Sequence, residues 1–244
     1  MQNQFSRTEL LIGQDGLDRL KSSTVLVFGV GGVGSFTVEA LARAGVGHLI
    51  LVDYDEVCLT NLNRQLHALR STLGKSKVEV MKQRILDINP DIIIEGFKDF
   101  YTENEADKFL NRKLDYVVDA IDTVAGKVSL AKECLKRNIP FISCMGAGNR
   151  LTAANFRVAD MSETSGCPLA KAMRKLLRRQ GITKGIKVVF SPDLPLKTLG
   201  MSDDCSLSNN KCRPITGSIS FVPSVAGLLI AGQVVRDLLN PYQQ

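Results

Sequence analysis

The chain has 244 residues, 44% of them hydrophobic and 23% charged, which is enough for a sizeable core and ordinary for a globular protein. Its 31 Lys and Arg against 25 Asp and Glu give a net charge of +6, permitting an anionic partner without a histone-like excess. The 6 cysteines (Cys58, Cys134, Cys144, Cys167, Cys205 and Cys212) form no C-x-x-C pair, which excludes a zinc ribbon or small disulfide scaffold and fits reduced thiols in a cytoplasmic protein.

The start, MQNQFSRTEL, has no apolar stretch of the signal-peptide kind. Residues 5–21 hold Leu10, Leu11, Ile12, Leu17 and Leu20 broken by Gly13 and Gly16, a pattern of short helical pieces packed outside a sheet or on another subunit. An unbroken apolar run predicts a buried strand over 25–28, and Val38, Leu41 and Ala42 predict a helix over 36–44 that Gly45 stops. A second strand covers 48–52. Residues 58–69 are polar and amide-rich, a loop or short helix over the strand end. Val78, Met81, Ile85 and Ile88 mark a helix over 77–88 that ends at Asn89-Pro90. Strands follow at 92–94 and 116–118 around an acidic helix near 102–110, then a helix over 125–137 and a strand over 140–144. Strands alternating with helices predict a doubly wound α/β fold with a mainly parallel sheet.

Beyond Gly146 the rhythm changes. Strands at 155–158 and 188–190 flank a basic helix over 168–180, and 194–216 is rich in turn formers without an apolar period, which predicts a mobile loop. A last strand at 217–222 and a last helix at 225–239 close the chain. The apolar segment 219–235 is interrupted by Ser220, Pro223, Ser224 and Gln233, so a buried helix is expected rather than a membrane span. The whole reads as one domain, 1–150 a nucleotide-binding core and 151–244 an extension of strands and helices facing the substrate.

The turn Gly29-Val-Gly31-Gly32-Val-Gly34 matches G-x-G-x-x-G between a strand and a helix, where the backbone approaches a phosphate and the helix start presents N–H groups to it. Asp53 closes the next strand 24 residues beyond Gly29, near the spacing of about 20 at which an acid accepts ribose hydroxyls in Rossmann-like folds. NAD and ATP both carry that ribose, so the acid does not separate them. The run from Asp53 through Asp55, Asn61, Asn63, Arg64 and Gln65 to Lys75 and Lys77 adds amides and cations just after it. Hydride transfer has no use for cations there, whereas expulsion of pyrophosphate does, because charge grows on the leaving phosphates. After a buried strand, Asp119 and Asp122 supply two acids at the sheet's carboxyl edge.

GVGGVGS, LVDYDEV, TNLNRQ, GKSKVE, INP and DAID together resemble the ThiF/MoeB/ubiquitin-activating superfamily of adenylating enzymes, over roughly residues 5–148. The resemblance implies ATP and Mg2+, a substrate carboxylate converted to an acyl-adenylate, and pyrophosphate released. It implies that Gly31 and Asp53 hold the nucleotide, that Asn61, Arg64 and Lys77 grip the phosphates, and that Asp122 holds magnesium. It also implies a homodimer in which Arg7, in FSRTELLIG, reaches the partner's triphosphate. RTELLIG, VVDAIDTVAGK, CMGAGN and GSISFVPSVAGLLIAG resemble the tRNA threonylcarbamoyladenosine dehydratase branch across almost the whole chain. That branch implies a tRNA substrate whose threonyl carboxylate is adenylated, after which the carbamoyl group attacks it, closes a ring and expels AMP without a catalytic cysteine. The alternatives are adenylation of the C-terminus of a small ubiquitin-like sulfur carrier and, in another class, a non-catalytic nucleotide sensor.

One pattern points to nucleic acid independently. Lys171, Arg174, Lys175 and Arg178 fall on one helical face, with Leu169, Met173, Leu176 and Leu177 left for burial, and no acid occurs between Glu163 and Asp193. Such a stripe neutralises backbone phosphates or is simply a solvated face. Cys134 and Cys144 read as small buried apolar residues. Cys205 and Cys212 fall in the loop, where a sulfur-accepting or thioester role and a sulfur-transfer partner protein are the lesser reading.

Overall fold

The structure is a computed structural model that describes residues 3–198 and 216–239. Helix α1 (Ser6–Lys21) is kinked at Gly13 and leads into β1 (Thr24–Phe28). The glycine turn follows, then α2 (Gly34–Ala44), β2 (His48–Val52), α3 (Lys77–Ile88) and β3 (Ile93–Phe97). Next come α4 (Ala106–Leu110), β4 (Tyr116–Asp119), α5 (Val124–Lys136) and β5 (Phe141–Cys144). The extension adds β6 (Arg157–Asp160), α6 (Pro168–Arg178), β7 (Lys187–Phe190) and α7 (Phe221–Leu239).

The strands form one sheet in the order β3-β2-β1-β4-β5-β7-β6, parallel throughout except for β6 against β7. Side chains alternate along each strand, so each strand feeds two cores. Val25 and Val27 join Val38, Leu41, Met81, Ile230 and Val234 under α2, α3 and α7. Leu26 and Phe28 join Phe109, Leu130, Met173 and Leu177 under α4, α5 and α6. Helices on both faces bury the sheet on both sides, which is why its central strands are unbroken apolar runs.

Three expectations about elements need correction. Residues 217–222 form no strand: 216–219 are irregular and α7 begins at Phe221, because Val222, Ala226, Ile230 and Val234 pack into the core beside α2. Gly227 permits that close crossing, since a Cβ there would stand 2.3 Å from the Val33 carbonyl oxygen. Strand β6 lies two residues later than expected, and β3 runs on to Phe97 through Glu95 and Gly96, which an apolar pattern does not mark. The expected loop 194–216 lies largely outside the described residues, as do Cys205 and Cys212.

Candidate active site

Strand β1 has β2 on one side and β4 on the other, so the chain reverses its winding there and leaves a crevice at the carboxyl ends of the strands. A cavity of about 590 Å³ opens at that point. Its walls come from the glycine turn, from Val52–Asp55 after β2, from 99–101 after β3, from 120–123 after β4 and from 144–150 after β5.

The glycines of the turn serve different ends. Gly29 has φ +85°, and a Cβ there would meet the Ala120 carbonyl oxygen at 2.7 Å; one at Gly34 would meet the Gly29 oxygen at 1.8 Å. The fold itself demands both. A Cβ at Gly31 would find nothing nearer than Gln65 Nε2 at 3.9 Å, so the protein's own packing does not require glycine and the space faces the cavity. Gly32 is wedged between Pro223 and Arg64. Helix α2 starts with no side-chain cap and no acid in its first turn, which leaves its N-terminus open to an anion.

Asp53 is buried, its carboxylate accepting the N–H groups of Val30 at 2.6 Å and Asp55 at 2.9 Å. Burial raises its pKa against the opposing pull of Lys77 and those two N–H groups. Lys77 opens α3, is buried, and holds Asp55 at 2.5 Å. Asn61 ends a short 3-10 turn and accepts the Cys58 N–H at 3.0 Å. Arg64 is half-buried and donates to the Thr60 carbonyl at 2.9 Å and to Asn63 at 3.1 Å; among the described residues it has no carboxylate partner. Burial lowers its pKa, but a guanidinium stays charged. Asp53, Asp55, Asn61, Arg64 and Lys77 all line the cavity. Asn63 does not: it donates to the Ser218 carbonyl at 2.9 Å and braces the chain ahead of α7.

The two acids after β4 diverge. Asp122 is exposed at the cavity wall, but Asp119 turns inward, 0% exposed, onto Lys127 at 3.0 Å and Ser143 at 2.5 Å. Lys127 also donates to the Cys144 carbonyl at 2.7 Å, so this buried group ties β4, β5 and α5 together and is structural. No cluster of three or more His, Cys, Asp or Glu stands ready for a metal among the described residues.

Arg7 is exposed on α1. Its neighbour Phe5 packs at Gly45, where α2 ends, whereas the cavity lies where α2 begins, so Arg7 stands at the far end of the helix from the cavity of its own chain. On α6, Lys171, Lys175 and Arg178 are exposed; Arg174 is half-buried and spends its guanidinium on Thr164. The helix begins at the cavity, where Pro168 and Leu169 form part of the wall.

Several cavity residues have no readable signal in the sequence. Tyr54 and Phe100 stack edge to face at 4.9 Å on the same wall as Asp53, a surface suited to a planar base. Arg150 is buried and pins the 146–150 turn to the end of β7, donating to the Gly146, Asp193 and Ser191 oxygens. Cys144 and Cys167 line the cavity as free thiols, and burial pushes Cys144 up to about 12, which removes it as a nucleophile at neutral pH.

Fold and site together define an α/β protein of the nucleotide-binding kind, with a glycine turn, a buried acid at Asp53 and the cations Arg64 and Lys77 around one crevice. The sequence profile of the ThiF family matches residues 5–244, and the chain belongs to that family. It is 52% identical to the tRNA threonylcarbamoyladenosine dehydratase of Bacillus subtilis strain 168, over 98% of this chain and 96% of that one. Identity to the enzyme of the same name from Escherichia coli K12 is 38%, over 96% and 93%. The crystal structure of the E. coli tRNA N6-threonylcarbamoyladenosine dehydratase in complex with ATP superposes with a TM-score of 0.88 at 32% identity, over 98% of this chain and 94% of that one.

Proposed function

We propose that this chain is an ATP-dependent tRNA dehydratase that cyclises threonylcarbamoyladenosine. It adenylates the threonyl carboxylate and releases pyrophosphate, then AMP. The observation that carries the reading is the cavity at the β1/β4 crevice, which gathers Asp53, Arg64, Lys77 and the exposed carboxylate of Asp122 around a glycine turn with room left at Gly31, in a chain that resembles the dehydratases over 98% of its length.

Asp53 holds the ribose, and the turn with the α2 N-terminus faces the phosphates. Gly29, Gly32 and Gly34 shape that turn. The threonyl carboxylate oxygen bonds to the α-phosphorus as the bond to the leaving pyrophosphate breaks. Arg64 and Lys77 bear on the charge growing there, with Asn61 beside them. Bound at Asp122, magnesium would neutralise phosphate charge. The carbamoyl group then attacks the acyl carbon, the ring closes and AMP leaves, a sequence that needs no catalytic cysteine. Lys171, Lys175 and Arg178 follow the tRNA backbone away from the cavity, and Arg7 completes the site of a partner in a homodimer. Residues 1–150 serve the nucleotide and 151–244 the tRNA, in the cytoplasm. The sulfur-carrier alternative is not favoured, since the dehydratases match the full length and paired C-x-x-C motifs are missing.

Pyrophosphate release on adding tRNA with or without the threonylcarbamoyl group, or a sulfur carrier protein, tests this. Release should require the modified tRNA, with one AMP per ring closed. Arg64→Ala and Asp122→Ala should each lower the rate roughly 100-fold or more with thermal melting unchanged. Stimulation by the carrier protein alone would overturn the reading.

A further inference from the structure

Asn149 is a point where separate segments around the cavity meet. Its N–H donates to the Gly217 carbonyl at 2.7 Å, its side-chain Oδ1 accepts the Gly217 N–H at 2.6 Å, and its own carbonyl accepts the Leu196 N–H at 2.7 Å. The turn after β5 is shaped for this contact. Gly148 leaves no room for a side chain, since a Cβ there would stand 2.1 Å from Thr216 Cγ2, and Asn149 itself has φ 56°. Asparagine tolerates that left-handed conformation better than most residues, but glycine adopts it freely and would keep both backbone bonds. What asparagine adds is the Oδ1 bond to Gly217.

That bond reaches beyond the turn. The residue after Gly217, Ser218, gives its carbonyl to Asn63 Nδ2 at 2.9 Å, and Asn63 Oδ1 accepts from Arg64 Nη1 at 3.1 Å. A hydrogen-bonded path therefore runs from the turn after β5 to the guanidinium at the cavity wall. The bond of Arg64 to the Thr60 carbonyl is local to its own loop, so the Asn63 bond is the one that depends on a distant segment. Asn63 is exposed, and without the Ser218 carbonyl its amide would be free to turn into solvent. Resting on the proposed reaction, we propose that Asn149 is a positioning residue for the first step. By fixing Gly217 it holds the Ser218 carbonyl where Asn63 needs it, and so sets the aim of Arg64 on the charge that grows on the leaving pyrophosphate.

Asn149→Gly keeps the backbone and removes the side-chain bond, Asn149→Asp keeps the acceptor, and Asn63→Ala cuts the path at its next link. Each is read by the kinetics of pyrophosphate release with modified tRNA and by the rotation rate of the Arg64 guanidinium in heteronuclear NMR without ligand, the signal being identified by its loss in Arg64→Ala. Asn149→Gly and Asn63→Ala should each lower kcat roughly 3- to 10-fold with the KM for ATP little changed, and the guanidinium should rotate faster. Asn149→Asp should recover most of both. In an Arg64→Ala background neither Asn149→Gly nor Asn63→Ala should slow the reaction further, because the residue they act through is gone. A full additional loss in that background, or unaltered Arg64 rotation, would overturn the proposal and leave Asn149 a structural clamp. If the parent protein itself ignored modified tRNA, the reading of the reaction would fail, while the NMR result, which needs neither ATP nor acceptor, would still decide whether Asn149 governs Arg64.

Discussion

His67 lies buried beside Lys77 with neither ring nitrogen bonded, and burial, with the Lys77 charge adding to it, lowers its pKa from 6.5 to about 4. The folded protein therefore keeps it neutral where the unfolded chain already binds a proton. Stability from this residue is complete above about pH 6.5, falls as the pH drops, and levels off near pH 4 after a loss of roughly 3 kcal/mol. Urea midpoints from pH 7 to pH 4 should show that slope, and His67→Phe should flatten it; an unchanged slope in the variant would assign it to other groups. The neutral, buried imidazole also shows where the sequence stops being informative. Asp53 and Asp122 could be picked out because charged residues just past an apolar run occupy the carboxyl edge of a parallel sheet wherever the chain goes next; Arg64 and Lys77 stood out as cations following that acid and through the family resemblance. Asp119 looks identical to Asp122 in sequence, and only the approach of Lys127 from α5 turns it inward. Arg150 owes its role to Ser191 and Asp193 at the far end of β7, partners that local composition does not encode.

Helix α6 has the largest division between faces, with Ala170, Met173 and Leu177 buried and the lysines outside. That division was readable from the spacing, whereas the capture of Arg174 by Thr164 was not. Replacing Lys171, Lys175 and Arg178 together by Gln should weaken tRNA binding and reduce the slope of log affinity against log salt by up to about 3, with ATP binding intact. Filter binding across a salt series would show it, and an unaltered slope would return the stripe to the solvated face of a basic protein. The central strands were legible because burial on both faces leaves no polar interruptions. Residues 217–222 misled for the same reason in reverse: Ile219, Phe221 and Val222 favour a strand locally, but the groove beside α2 rewards a helix.

At the scale of the whole molecule, Leu10 and Leu11 stand 86% and 85% exposed on α1, near Arg7. In the proposed two-fold dimer these side chains are covered and each Arg7 enters its partner's site. Mixing Arg7→Ala protein with Arg64→Ala protein, each inactive alone, should then restore about a quarter of parental pyrophosphate release, since half the dimers are mixed and each has one intact site. No recovery after subunit exchange would place Arg7 outside the site. The last helix ties a late segment of the fold to an early one. α7 packs along α2, Thr37 donates to the Gly227 carbonyl at 3.0 Å, and Pro223 closes over Gly32. The glycine turn therefore has its backing wall only once α7 has docked, so loosening that helix should cost nucleotide affinity before it costs the sheet.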